Sequence, residues 1–245
     1  MEYRDSLENR LALYEQLARI GKVVVHPKRI ELLDLLCQAE RSVEALAREA
    51  ELKFSTASAH LQVMRQARLV ETRKEGRRIY YRAAGEEACR FVSALNDLGR
   101  ARLAEVDQIL HAIGTDVASV ERVTRGELLD RARRGSVVVV DVRPSEEYIA
   151  GHVSGAVSVP LESLEARLDE LDPALEIIAY CRGPLCLLAP EAVVALRTRG
   201  FRARCLEDGL PEWRRAGLSI SVGTLPGELH YTPSRATHLE AYNER

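Results

Sequence analysis

Two cysteines in one short segment are the strongest chemical signal in this chain. Cys181 and Cys186 bracket the stretch Tyr180-Cys181-Arg182-Gly183-Pro184-Leu185-Cys186. An apolar run, Ile177-Ile178-Ala179, precedes it, and a helix-like segment from Pro190 to Arg199, closed by Gly200, follows. A strand, a tight loop headed by a thiol and then a helix is one way to make a reactive cysteine. Loop amides and the incoming helix N-terminus favour a thiolate at Cys181, and Arg182 adds positive charge. The thiolate is the nucleophile. Cys186 has two readings. It resolves a sulfenate or persulfide at Cys181 by closing a disulfide, or it is a small packed thiol behind the loop.

A second constellation lies upstream. Ser55, Thr56, Ser58, His60, Gln62 and Arg65 fall on one predicted helix, residues 55–66, as small and polar side chains suited to a groove. Arg73, Lys74, Arg77 and Arg78 follow within a basic hairpin. From Leu52 to Ala84 eight basic residues stand against two acidic ones, a local charge of +6 in a chain of net charge −2. A basic patch on an otherwise acidic protein is the footprint of a polyanion.

The elements that position these groups can be read from periodicity. Leu7, Leu11, Tyr14, Leu17 and Ile20 recur at helical spacing, His26-Pro27 interrupts the chain, and residues 30–36 resume a helical face. Ser42 caps a short helix through Ala50. A turn at residues 51–53 leads to the groove helix, with Ala57, Leu61 and Met64 facing inward, so the pair has helix-turn-helix geometry. Residues 69–73 and 77–82 read as two strands joined at Lys74-Glu75-Gly76. Residues 86–113 read as one long helix whose Phe91, Leu95, Leu98, Val106, Leu110 and Ile113 want a partner.

Downstream, Thr124-Arg125-Gly126-Glu127 is a capping box for a helix ending near Gly135. Residues 137–142 form an apolar run expected of a strand buried on both faces. Helix at 161–171, strand at 176–180, helix at 190–199, strand at 202–206 and a short helix at 211–215 follow. Alternating strands and helices predict an α/β domain with a mainly parallel sheet. The thiol loop falls at the carboxyl end of a strand, where such folds place sites.

Residues 10–82 resemble the ArsR family of winged-helix repressors. The stretches that carry the likeness are His26-Pro27-Lys28-Arg29-Ile30-Glu31-Leu32-Leu33, Ser58-Ala59-His60-Leu61-Gln62-Val63-Met64, Leu69-Val70-Glu71-Thr72-Arg73 and Glu75-Gly76-Arg77-Arg78-Ile79-Tyr80-Tyr81. The resemblance implies a homodimer on a two-fold, double-stranded DNA operator. Many relatives bind metal through a cysteine pair at the positions held here by Ser42 and Glu44, so that thiolate site is absent. Asp107 and His111, four apart on a helix, read as a polar face or as part of a metal site lacking further ligands. Cys37 and Cys89 fall on two helices and form a redox pair or serve as packing residues.

Residues 120–222 resemble a rhodanese domain through Asp141-Val142-Arg143-Pro144, Glu147-Tyr148-Ile149-Ala150-Gly151-His152-Val153-Ser154-Gly155-Ala156, the thiol loop, and Glu207-Asp208-Gly209-Leu210-Pro211-Glu212-Trp213. The resemblance implies sulfurtransferase chemistry. The loop cysteine takes a sulfane sulfur, becomes a persulfide and passes the sulfur on, so Cys181 is the matching nucleophile and loop amides from Arg182 to Cys186 cradle the persulfide. Asp141, Arg143 and His152 brace the fold in that family. The apolar rim of Pro184 and Leu185 favours a persulfide or polysulfide donor over thiosulfate. Related cysteine phosphatases carry an arginine where this chain has Leu187, which argues against that activity.

The expected fold is therefore two domains: an α+β winged helix-turn-helix, mostly α, and an α/β rhodanese-like parallel sheet. The expected boundaries are residues 1–84 for DNA binding, 85–118 for a dimerisation helix and linker, 119–222 for the rhodanese-like domain and 223–245 for a tail. No apolar run is long enough for a membrane span, and there is no secretory leader, so the expected place of action is the cytoplasm. Five widely spaced cysteines do not make a secreted disulfide framework. No cofactor or metal is called for. The function expected is a dimeric transcriptional regulator, a repressor, whose second domain senses or transfers sulfane sulfur. The alternatives are a sulfurtransferase with an autoregulatory DNA-binding domain, or a metal-responsive repressor.

Overall fold

A computed structural model describes residues 2–112 and 120–223. Residues 113–119 and, of the tail, 224–245 lie outside the described residues. The chain divides into two compact units, Met1–Val92 and Ser93–Arg245. Among the described residues no helix is long and apolar enough to cross a membrane.

The first unit begins with α1 (Glu2–Gly21) and α2 (Pro27–Gln38). His26 caps α2, its Nδ1 accepting from the Lys28 amide at 3.2 Å, and Pro27 takes the first helical position, where its missing N–H costs nothing. A two-residue strand β1 (Arg41–Ser42), too short to leave a periodicity of its own, precedes α3 (Val43–Glu49). The Ser42 hydroxyl caps α3 by accepting from the Ala45 amide. Glu51 turns the chain with φ +52°, and α4 (Phe54–Gln66) follows. The hairpin is β2 (Val70–Glu75) with β3 (Arg78–Ala83), antiparallel, turning at Gly76 with φ +59°. Glycine takes that left-handed conformation without a Cβ penalty. Strand β1 adds to the other edge of β3. Leu32, Leu33, Leu46, Leu61 and Met64 are fully buried and fix the angle of α4 against α2 and α3.

The predicted long helix is two. Helix α5 (Glu86–Arg102) is followed by α6 (Ala104–Ala112), with Leu103 between them outside either helix. Apolar periodicity continues across Leu103, so a pattern-based reading fuses the two. In α5 Cys89 is disulfide-bonded to Cys37 of α2, with 5.4 Å between their Cα atoms.

The second unit contains β4 (Arg122–Val123), α7 (Arg125–Arg133), β5 (Val137–Asp141), α8 (Ser145–Ala150), β6 (His152–Val153), β7 (Val157–Ser158), β8 (Glu176–Tyr180), α9 (Leu188–Thr198), β9 (Ala203–Leu206), α10 (Leu210–Arg215) and β10 (Ile220–Ser221). Five strands form one parallel sheet in the order β4-β9-β8-β5-β7. Side chains alternate between its faces. Val138 and Val140 of β5 join Ile177, Ala179, Ala192, Val193 and Leu196 on one side. Val137 and Val139 join Ile178, Tyr180, Leu128 and Trp213 on the other. The helix expected over 161–171 is instead two 3₁₀ segments, Leu161–Ser163 and Glu165–Glu170. Pro160 leads directly into bonds three residues apart, from the amides of Leu164 to Leu161 and of Arg167 to Leu164.

Candidate functional site

Strand β8 ends at Tyr180, and Cys181 is the next residue, 4 % exposed. The loop from Cys181 to Leu187 leads into α9. Its position is fixed from two sides. A Cβ on Gly209 would lie 2.4 Å from the Gly183 nitrogen and from the Arg182 carbonyl carbon, so the loop rests directly on that glycine. On the other side Arg182 does not reach over the thiol. Its guanidinium grips Glu147 at 2.6 Å, and Glu147 is completely buried.

Glu147 belongs to a buried charge cluster at the carboxyl end of β5. Arg143 Nη2 donates to Asp141 at 2.6 Å and to the Gly151 carbonyl at 2.7 Å, and Arg143 lies 3.7 Å from Glu147. The Tyr180 hydroxyl donates to Asp141 at 2.5 Å and accepts from the Val153 amide at 3.0 Å. Asp141, Arg143 and Glu147 have no solvent-exposed surface. Buried ions persist only when paired and fully hydrogen-bonded, and here the network runs from β5 to the first residue after the reactive cysteine. His152 stacks on Tyr148 with ring centroids 3.6 Å apart and bonds the Tyr148 carbonyl. Glu147 was not singled out from sequence. Its spacing of four from Arg143 in an Asp-x-Arg context was the available signal.

The thiolate expected at Cys181 meets an opposing environment, because the residue is 4 % exposed. Its Sγ donates toward the Cys186 carbonyl at 3.6 Å, an arrangement that keeps the proton on sulfur. Burial pushes the Cys181 thiol well above its ordinary value, and its contacts with Cys186 add to that. The helix amide at Ala189 opposes this only weakly. Cys186 is held down to about 7, chiefly by the hydrogen bond with Cys181, with help from the backbone at Arg182 and Leu188 and from the Arg182 charge. The loop amides and the arginine thus act in favour of negative charge chiefly at Cys186. Cys205, also buried, is raised to about 11, with burial the largest cause. Within the loop pair, burial pushes the Cys181 thiol up while the contact with Cys181, the loop backbone and the Arg182 charge draw Cys186 down. Limiting iodoacetamide is expected to label Cys186 before Cys181 and Cys205, with a rate that rises through pH 7 as the thiolate forms. Peptide mass spectrometry across pH 5–9 checks this. Labelling of Cys181 first, at every pH, would refute the assignment.

In the first unit, α4 projects Ser55, Thr56, Gln62 and Arg65 into solvent. Ser58 and His60 are half-buried. The His60 ring packs 4.4 Å from that of His26, and burial first, then the charges of His26 and Arg29, lowers its pKa. Ala59 and Val63 are exposed on the same helix and were not among the residues chosen from sequence, where only polar side chains were considered. In the hairpin, Arg73 is tied to Glu40 and Glu75, each at 2.6 Å. The side chains of Lys74, Arg77 and Arg78 are exposed and make no hydrogen bond or salt bridge among the described residues, and the Arg78 charge helps to lower the Glu44 pKa. The cations of the wing that lack a salt bridge among the described residues are thus at its tip.

Comparisons with known proteins agree with this division. Residues 26–72 match the family model for the bacterial regulatory protein, arsR family, and residues 124–216 match that for the rhodanese-like domain. The HTH-type transcriptional regulator Rv0324 of Mycobacterium tuberculosis is 43% identical over 220 residues, covering 90% of this chain and 96% of that protein. The biofilm growth-associated repressor of Agrobacterium fabrum is 38% identical over 80 residues, 33% of this chain and 68% of that protein. A solution structure of the homodimeric winged helix-turn-helix domain of a possible ArsR-family regulator from Mycobacterium bovis is 42% identical, covering 38% of this chain and 87% of that one, with a TM-score of 0.37.

Proposed function

This chain belongs to the ArsR family of helix-turn-helix transcriptional regulators, with a rhodanese domain in its C-terminal half, and from that premise we propose a dimeric cytoplasmic repressor that binds an operator in double-stranded DNA and responds to sulfane sulfur through Cys181 and Cys186. The observation that carries the sulfur half is the loop itself. Cys181 and Cys186 stand at the two ends of one turn, the Cys181 Sγ 3.6 Å from the Cys186 carbonyl, and the turn rests on Gly209 and on the Arg182–Glu147 pair.

The reaction balances with a hydropersulfide, RSSH, as donor. The loop thiolate attacks the outer sulfur, the donor's S–S bond breaks and RS⁻ leaves, so the loop carries a persulfide. The second loop thiol then loses its proton and attacks the sulfur bound to the first. Hydrosulfide leaves, a Cys181–Cys186 disulfide remains, and the sulfane sulfur has been reduced while the two thiols have been oxidised. An external thiol that attacks the persulfide instead would complete a sulfurtransferase cycle. The bridged loop is the regulatory form. Cys37 and Cys89 support a second reading, in which their disulfide between α2 and α5 is the responsive pair.

The DNA half rests on α4 and the wing. Replacing Arg77 and Arg78 with alanine is expected to weaken binding to all duplexes about equally. The salt slope should fall by about 1 for each phosphate that a protomer no longer neutralises. Titrations of several duplexes at a series of salt concentrations test this. A change in sequence preference with an intact salt slope would contradict the assignment of the wing to the phosphate backbone. Dimerisation is supported by apolar side chains left exposed in the protomer: Leu11, Leu13, Tyr14 and Leu17 on α1, Leu98 on α5 and Ile109 on α6.

A further inference from the structure

We infer that Ala59 and Val63 determine part of the sequence preference of this protein, by recognising the C5-methyl groups of thymine in the major groove. The inference rests on α4 being the DNA-reading helix and adds what that helix reads.

Ala57, Leu61 and Met64 have no exposed surface and define the inner side of α4. At about 100° per residue, Ala59 and Gln66 point directly away from that side, with Ser55, Gln62 and Val63 beside them. All five are exposed. The outward face is thus uncharged at its centre, with Ala59 and Val63 as apolar side chains among Ser55, Gln62 and Gln66. Val63 keeps 37 % of its surface in solvent.

What covers this face follows from charge. Between Phe54 and Met64 there is no Lys, Arg, Asp or Glu. The cations stand around it, at Lys53, Arg65, Arg68 and the wing tip, within the segment that carries +6. An uncharged centre of mixed polarity rimmed by cations fits a polyanion with an uncharged interior, and the floor of a DNA groove has that character.

The same distribution sets the base preference. Guanine is most often read by a bidentate arginine or lysine, and the centre of this face has neither. The amide of Gln62 matches the adenine N6/N7 edge, and alanine and valine side chains match the thymine methyl. Ala59 and Val63 are one turn apart, which places their Cβ atoms about 6 Å from each other. That separation corresponds to about two base-pair steps of about 3.4 Å. The half-site core is therefore A·T-containing, with two contacted thymine methyls about two steps apart.

The test starts from duplexes that the reduced full-length protein selects out of a random-sequence library. Each thymine of the selected half-site is then replaced by deoxyuridine, which removes the methyl and leaves the hydrogen-bonding pattern unchanged. Wild-type protein is expected to lose about fourfold in affinity per contacted methyl. The double variant Ala59→Ser with Val63→Ser should bind the thymine and uracil duplexes alike, with the salt slope of the wild type. Equal wild-type affinity for both duplexes overturns the inference and leaves DNA binding standing. So does a double variant that keeps the wild-type preference for thymine. Failure to select any duplex removes the DNA-reading assignment itself, and the inference with it.

Discussion

Arg143→Met is expected to destabilise the rhodanese unit by about 3–5 kcal/mol. The arginine has no exposed surface and is the direct partner of Asp141, also fully buried. It also lies 3.7 Å from Glu147. Methionine fills much of the space, so the loss is electrostatic: two carboxylates stay in the interior and only Glu147 keeps a cation, Arg182. The chain has one tryptophan, Trp213, completely buried in this unit. Its fluorescence during urea unfolding therefore reports on the rhodanese unit alone. The tryptophan transition should move to lower denaturant, while operator binding by the N-terminal unit persists below that transition. An unchanged midpoint would mean that the cluster contributes nothing to the fold, and with it would go the explanation of how Arg182 and the thiol loop are held.

The second large effect concerns assembly. Leu17→Asp and Leu98→Asp place carboxylates at positions that are 55 % and 58 % exposed in the protomer, so folding of the single chain should be unaffected. In a dimer that buries these side chains each carboxylate would be desolvated without a partner, at a cost of about 3 kcal/mol or more. Dimerisation should weaken more than a hundredfold, sedimentation should show monomers, and operator affinity should fall as only one half-site is engaged. Stable dimers with undiminished affinity in both variants would place the interface elsewhere.

Much of this architecture was written in local pattern. The α/β order of the second half came from short apolar runs bounded by glycine and proline, because strands buried on both faces leave few other solutions. Helix-turn-helix and wing followed from the Ser42 cap, the inward Ala57-Leu61-Met64 spacing and Gly76. What failed depended on interactions between distant residues. The break at Leu103 is invisible to a periodicity that runs through it. The 3₁₀ turns at 161–170 carry leucines at a spacing that suits an α-helix equally well. The burial of Cys181 and the turn of Arg182 toward Glu147, which stands 35 residues earlier in the chain, are likewise contacts that local pattern does not carry. The exposure of Ala59 and Val63 follows from the orientation of the helix and leaves no mark in its polar composition.

The central claim is that sulfane sulfur acts on DNA binding through the Cys181 loop. The most direct measurement is operator affinity of the reduced full-length protein before and after polysulfide, for wild type, Cys181→Ser and Cys186→Ser, with intact-mass and peptide spectra of each sample. The account predicts that polysulfide releases wild-type protein from DNA as a Cys181–Cys186 bridge forms. Both single variants should bind the operator when reduced and stay bound after treatment. Release of both variants to the same extent as wild type, with a newly formed bond between Cys37 and Cys89, would contradict the account and transfer the response to the other cysteine pair.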